Sequence, residues 1–159
     1  MEYPPSNSIF LVDDNPLCLM IYKKYLQGIG YHNIRCFESG PQCITYIDEQ
    51  PGIVFLDYYM PPMNGLDTLK KIKSLYPGIC IVMLSAQEDT DVAVHALKCG
   101  AYDYIVKGKN ELTRIQDVMQ RFMMLKNVIK QQPTQTTELQ SFNAGNRWYS
   151  HPFSSTLAQ

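Results

Sequence analysis

The chain has 159 residues, 45% hydrophobic and 18% charged, with 14 Lys and Arg against 15 Asp and Glu for a net charge of −1. That length is one domain with room for a tail, and the composition excludes a chain that is disordered throughout. The lack of excess basic charge excludes a generic binder of the phosphate backbone, so no direct nucleic-acid contact is expected, and no stretch approaches the ~20 apolar residues of a membrane span.

The start, Met1-Glu2-Tyr3-Pro4-Pro5-Ser6-Asn7, has neither the basic nor the apolar part of a signal peptide, which leads us to expect a soluble cytoplasmic protein. Cys18, Cys36, Cys43, Cys80 and Cys99 are odd in number and show no CxxC spacing. Four of them lie in or beside apolar stretches, so they read as small core residues rather than as a redox or zinc set.

Short apolar runs alternate with longer segments of helical period. Ile9 to Val12 is a first strand, ending in Asp13-Asp14. Pro16 to Ile29 follows as a helix, with Leu17, Met20, Ile21 and Ile29 near helical spacing and the glycines of Gly28-Ile29-Gly30 at its end. Asn33 to Phe37 is a second strand, and Gly40-Pro41 opens a helix through Ile47. The third strand, Ile53 to Leu56, stops at Asp57. Asn64-Gly65 then leads into a helix with the stripe Leu66, Leu69, Ile72 and Leu75, stopped by Tyr76-Pro77-Gly78. Cys80 to Leu84 is the fourth strand, ending at Ser85; Thr90 to Cys99 is a helix, with Gly100 placed to terminate it. Tyr102 to Val106 is the fifth strand, ending at Lys107. Asn110 to about Ile129 is the last helix, with the stripe Leu112, Ile115, Val118, Met119, Phe122 and Ile129.

This is an α/β chain of the (βα)5 kind. Strands joined by helical crossovers pair in parallel, and near-continuous apolar strands imply helices on both faces. A ligand site is expected outside the carboxyl ends of the strands. Residues 8–129 form the domain. From residue 130 onward the chain reads as a polar linker and tail, with Phe142, Trp148, Tyr149 and Phe153 spaced like neither a helix nor a strand.

Taken singly, the residues at the strand ends have ordinary explanations. Asp13 or Asp14 could cap a helix, Asp57 could sit in a turn, Ser85 could open a loop and Lys107 could be a solvated charge. Together they call for another account, because three carboxylates on one edge repel unless a cation joins them. An all-oxygen set of this kind suits Mg2+. A carboxylate nucleophile with a metal, a lysine and a hydroxyl makes a phosphoryl-transfer site, where positioning and charge neutralisation do most of the catalysis. Other patterns are weaker. Gly28-Ile29-Gly30-Tyr31-His32-Asn33 follows a helix and lacks the last glycine of a dinucleotide fingerprint, and Gly108-Lys109-Asn110 lacks most of a P-loop. His32, His95 and His151 show no ligand spacing, and Met119, Met123 and Met124 read as packing.

At these residues the chain resembles the receiver domain of two-component response regulators, chemotaxis-regulator-like, over about Ser8 to Ile129. The resemblance is carried by the Asp13-Asp14 pair, Asp57 with Met60-Pro61 and Asn64-Gly65, Ser85-Ala86, Gly100-Ala101, and Tyr104 three residues before Lys107. It implies a flavodoxin-like doubly wound sheet of order 2-1-3-4-5. It implies that Asp57 accepts a phosphoryl group from a phosphohistidine on a sensor histidine kinase or histidine phosphotransfer protein. Asp14 and Asp57 would bind Mg2+ directly, Asp13 largely through water, and Tyr59 through its backbone carbonyl. Lys107 would pair with the phosphoryl group and Ser85 would hydrogen-bond it. Movement of Ser85 would let Tyr104 turn inward, remodelling the face of the fourth helix, fifth strand and fifth helix that an unidentified downstream protein reads.

Such a module is a phosphoacceptor rather than an enzyme, catalysing at most its own phosphorylation and slow autodephosphorylation. Two positions depart from the family. Gly108 replaces the usual Pro after the lysine, which predicts a trans bond or a more mobile loop, since a cis bond there costs roughly 2.5–4 kcal/mol. Tyr59, two residues past Asp57, is bulky, and Gln87 lies two past Ser85; the expectation is that Tyr59 restricts attacking water and lengthens the phosphorylated lifetime. The alternatives are a phosphorylation-independent interaction scaffold, which would not need the five polar residues, and an Asp-nucleophile hydrolase, which would want a carboxylate where Tyr59 stands.

Overall fold

The computed structural model describes residues 7–131. Five strands and five α-helices alternate: β1 (Ile9–Val12), α1 (Pro16–Gly28), β2 (Ile34–Phe37), α2 (Gly40–Thr45), β3 (Ile53–Asp57), α3 (Gly65–Leu75), β4 (Cys80–Ser85), α4 (Thr90–Lys98), β5 (Asp103–Val106) and α5 (Glu111–Gln131). All pairings are parallel, and the sheet order is β2-β1-β3-β4-β5. The expected α/β architecture and strand order are therefore both present. The helix expected to run from Gly40 through Ile47 divides into α2 and a single 3-10 turn at Ile47–Glu49, ended by Gln50 at φ 49°.

Alternation along the central strands divides the core between two faces. Phe10, Val12, Val54, Leu56, Ile81 and Met83 point toward α2, α3 and α4, where they meet Cys43, Leu69, Ile72 and Ala96. Ile9, Leu11, Ile53, Phe55, Val82 and Leu84 point toward α1 and α5, where they meet Leu19, Tyr22, Leu26, Ile115, Val118 and Met119. Phe10 and Phe55 are fully buried, each stabilising the fold by roughly 1.5–3 kcal/mol relative to an exposed position. A sheet covered on both faces leaves its strand ends as the place where polar chemistry reaches solvent.

Two helical faces differ from the sequence reading. In α1 the expected stripe of Leu17, Met20, Ile21 and Ile29 faces solvent, with Leu17 56% and Met20 47% exposed, while Leu19, Tyr22 and Leu26 are buried. Both sets have helical spacing, and it is the face with Tyr22 that packs into the core against Ile9, Leu11 and their neighbours. In α5 the stripe holds from Ile115 to Phe122, but Ile129 is exposed and the helix continues through Gln131. Residues 130 and 131, expected in the linker, are thus helical, and the remainder of the expected tail, with its aromatics and His151, lies outside the described residues.

The starts of α1 to α4 are each capped by a side chain. Asn15 caps α1, its Oδ1 accepting from the Leu17 N–H at 3.0 Å, and Pro16 occupies the first turn. Ser39, Asn64 and Asp89 cap α2, α3 and α4. At the end of α1 the left-handed backbone falls on Gly30, at φ 100°, while Gly28 remains within the helix. Of the cysteines expected in the core, Cys43 is buried and Cys18, Cys80 and Cys99 pack against the core partly buried, while Cys36 is exposed; all five are free thiols.

Candidate functional site

Sheet register brings the expected polar residues to one edge. Val12 pairs with Leu56, so Asp13 leaves β1 beside Asp57 at the end of β3. Asp57 pairs with Leu84, and Ser85 pairs with Val106, which places Lys107 just past β5. Backbone bonds continue the ladder beyond the side chains, with Tyr58 N–H donating to Leu84 O at 2.8 Å and Lys107 N–H to Ser85 O at 2.7 Å. Burial sorts the residues: Asp13, Asp57 and Ser85 are buried, Lys107 is partly covered and Asp14 is exposed.

Asp13 uses both carboxylate oxygens. Its Oδ1 accepts from the Asn15 N–H at 2.8 Å, and its Oδ2 accepts from Lys107 Nζ at 2.7 Å. The ordinary explanation of Asp13 or Asp14 as the α1 cap therefore fails, because Asn15 takes that role. Lys107 Nζ also lies 2.5 Å from Asp57 Oδ1, so one ammonium bridges the ends of β1 and β3. Burial raises the Asp57 pKa above the ordinary carboxylate value, against the opposing pull of Lys107. Burial alone would lower the Lys107 pKa, but its bonds to Asp13 and Asp57 outweigh that and raise it.

The donor set can be tested against a cation. Asp13, Asp14 and Asp57 each offer a carboxylate oxygen, all within 4.8 Å of one another. Mg2+ takes oxygen ligands at about 2.1 Å and keeps several waters, so the three carboxylates would have to draw together, or reach the ion through water, to hold it between them. Lys107 offsets one of the three negative charges, and the excess favours a hard cation with oxygen ligands.

The surrounding loops add contacts that spacing alone does not reveal. Tyr59 is 52% exposed, and its phenol donates to Gln87 Oε1 at 3.0 Å, linking the loop after β3 to the loop after β4. Its ring meets Tyr58 edge-on, centroids 4.9 Å apart. Tyr104 is buried, and its phenol donates to the Gln87 carbonyl at 3.2 Å. The Tyr104 carbonyl accepts from the Arg114 guanidinium of α5 at 3.2 Å. The Lys107–Gly108 bond is trans, as expected, since the cis peptide bond among the described residues is Pro61–Pro62. Gly108 N–H donates to Glu111 Oε2 at 3.0 Å, which ties the loop to the first turn of α5. The sequence pattern pointed to Tyr59 and Gln87 separately; their contact needed the fold, and Asn15 carried a detectable signal as an Asn directly before Pro16.

Comparison with known proteins gives one consistent result. The family model described as "Response regulator receiver domain" matches residues 9–120. The transcriptional regulatory protein ZraR of Escherichia coli (strain K12) is 39% identical over 100 residues, 62% of this chain but 22% of that protein. The chain thus spans about a fifth of the length of that relative. The chemotaxis protein CheY of Thermotoga maritima is 33% identical over 100 residues, covering 62% of this chain and 83% of that protein. Among solved structures, the receiver domain of NtrX from Brucella abortus superposes with a TM-score of 0.68 at 29% identity, over 74% of this chain and 98% of that one. Among the described residues, no helix is long and apolar enough to cross a membrane.

Proposed function

The chain belongs to the response regulator receiver domain family, and on that premise we propose that it is the phosphoacceptor of a two-component phosphorelay. The observation that carries the reading is the buried Asp57 carboxylate, 2.5 Å from Lys107 Nζ and clustered with the oxygens of Asp13 and Asp14. An Asp57 oxygen attacks the phosphorus of a phosphohistidine on a sensor histidine kinase or phosphotransfer protein. The N–P bond breaks as the O–P bond forms, and the donor imidazole keeps the electron pair.

Asp13, Asp14, Asp57 and the backbone carbonyl of Tyr59 would hold Mg2+, with Asp13 acting largely through water. When bound, the ion neutralises charge on the phosphoryl oxygens. Lys107, already between Asp13 and Asp57, shifts to pair with a phosphoryl oxygen, and the Ser85 hydroxyl donates to another. Tyr104 then reports the state of Ser85 to the surface of α4, β5 and α5, where a downstream protein binds. The domain turns over no separate substrate and catalyses only its own phosphorylation and slow dephosphorylation. Tyr59 restricts the water that would hydrolyse the acyl phosphate, so a Tyr59→Asn variant loses phosphate faster than the parent.

Incubation with a small phosphodonor and Mg2+, followed by intact-mass measurement, tests the reading. A phosphate adduct that Asp57→Asn abolishes is expected. The absence of an adduct with every donor would overturn it, as would rapid turnover of many phosphoesters.

A further inference from the structure

Near its end α5 carries a second apolar surface, separate from the stripe that is buried from Ile115 to Phe122. Met124, Leu125, Val128 and Ile129 recur at helical spacing, and each is at least half exposed. Large apolar side chains gathered on two successive turns mark a docking surface, unlike apolar residues scattered singly. At the N-terminal end of this patch lies an open groove of about 260 Å3, lined by Tyr102, Arg121, Met124 and Leu125. Its chemistry suits an aromatic ring. The Arg121 guanidinium stands over the Tyr102 ring, 5.8 Å from the centroid, and donates to Asp103 Oδ2 at 2.6 Å. A guanidinium fixed through its edge keeps its flat face for stacking, and a thioether such as that of Met124 favours an aromatic neighbour. Apolar cavities of about 150 Å3 already accept a benzene ring, so the groove has room for a larger one. An aliphatic side chain would use the apolar wall but neither the cation nor the sulfur.

We infer that this surface binds segment 142–153 of the same chain, with Trp148 in the groove and the neighbouring aromatics along Val128 and Ile129. The segment holds Phe142, Trp148, Tyr149 and Phe153, and it follows α5 in the sequence after a run in which Leu139 is the one large apolar residue. Reach decides between this occupant and a second copy of the chain. Trp148 stands 17 residues after Gln131, and a polar tether of that length has a root-mean-square reach of about 20–25 Å. Arg121, ten residues back along α5, lies about 15 Å from Gln131. Tether and span therefore match, which gives the segment an effective concentration of about a millimolar at the groove. A second copy at micromolar concentration competes at a disadvantage of roughly a thousandfold.

The inference stands apart from the phosphoacceptor reading and is tested on the full chain without phosphate or metal. Trp148 is the only tryptophan, so its fluorescence reports the segment alone. Acrylamide should quench it less in the folded parent than in the urea-unfolded chain, by the same margin at every protein concentration. Leu125→Glu is expected to weaken docking at least about tenfold, because a charge in an apolar contact is desolvated without a partner. Quenching in that variant should move most of the way to the unfolded level. Leu125 is half exposed, so the domain should keep its melting temperature.

Trp148→Ser gives the reciprocal measurement and leaves every residue of the described domain intact. Hydrogen exchange at a peptide covering residues 121–131 is expected to be faster in this variant than in the parent, because the end of α5 loses its cover. Should Leu125→Glu melt lower than the parent, this exchange decides. Equal quenching in the folded and unfolded parent overturns the inference. So does protection of Trp148 that Leu125→Glu leaves unchanged, or exchange unaltered by Trp148→Ser, since the segment then lies elsewhere. Protection that grows with protein concentration also overturns it, by making a second copy the occupant.

Discussion

A methyl group placed on Gly65 would stand 2.2 Å from the backbone carbonyl oxygen of Asp57, well inside contact distance. The first turn of α3 is therefore pressed against the end of β3, and the Gly65 N–H completes the approach by donating to Tyr58 O at 2.8 Å. The opposing atoms are backbone, together with Met83 Cε and Tyr58 Cα, so little can yield cheaply. Gly65→Ala is expected to cost about 1–3 kcal/mol, as overpacking does in a dense interior. Because the displaced group is Asp57 itself, phosphate uptake from a small donor should slow by more than the stability loss explains. Chemical denaturation and adduct formation, measured on the same preparation, check both parts.

Asp57 is held at a cost to the fold. Its pKa is raised by burial, so the folded state binds its proton more readily than the unfolded chain does. For a carboxyl group raised in this way, stability falls as pH climbs from the ordinary carboxylate value through the folded value, and the full penalty is present at neutral pH. Asp57→Asn removes that penalty while leaving Lys107 paired with Asp13. In metal-free buffer at pH 7 the variant should melt higher than the parent, and the gap should close as pH is lowered toward the carboxylate range. Added Mg2+ should raise the melting temperature of the parent more than that of the variant.

The division between what was legible in the sequence and what was not follows from physical range. Asp57, Ser85 and Lys107 each end an apolar run, and an apolar run bounded by turn residues is a local signal. The fully buried strands, with Val54, Phe55 and Leu56 all inaccessible, show why their pattern read as continuous rather than alternating. The buried face of α1 was not legible, because two apolar stripes of equal spacing can be separated only by knowing which one meets the sheet. Cys36 departs from the core assignment for a related reason: it lies in edge strand β2, which has a partner on one side only. The Tyr59–Gln87 and Tyr104–Gln87 bonds join residues 28 and 17 apart in sequence, beyond the reach of any local pattern.

Thiol reactivity gives a direct test of the packing. Burial pushes the Cys43 and Cys80 thiols up to about 12, so almost no thiolate is present at pH 8. Cys36 is also raised by burial, with Lys23 opposing, but it alone among the cysteines is exposed. A brief iodoacetamide pulse on the native protein should label Cys36 first, and Cys43 should react only after unfolding. Peptide mass spectrometry reads the order. Prompt labelling of Cys43 in the native protein would contradict its place between α2 and the sheet.

Under the proposed phosphorelay function, the outward face of α1 bears on how a phosphohistidine would reach Asp57. Leu17, Met20 and Ile21 are 56%, 47% and 39% exposed, and they begin three residues after Asp14 at the mouth of the site. Three apolar side chains at helical spacing beside a site that, on the proposed phosphorelay function, admits a protein-borne imidazole fit a partner helix laid along α1. A small phosphodonor makes no use of such a surface. Met20→Asp should therefore leave acetyl phosphate loading near the parental rate while lowering transfer from a phosphohistidine donor protein at least tenfold, since a charge placed in an apolar contact must be desolvated without a partner. Parallel time courses with the two donors decide the point. Equal loss with both would mean that the substitution disturbs Asp13 and Asp14 through the start of α1, and equal retention would place the docking surface elsewhere.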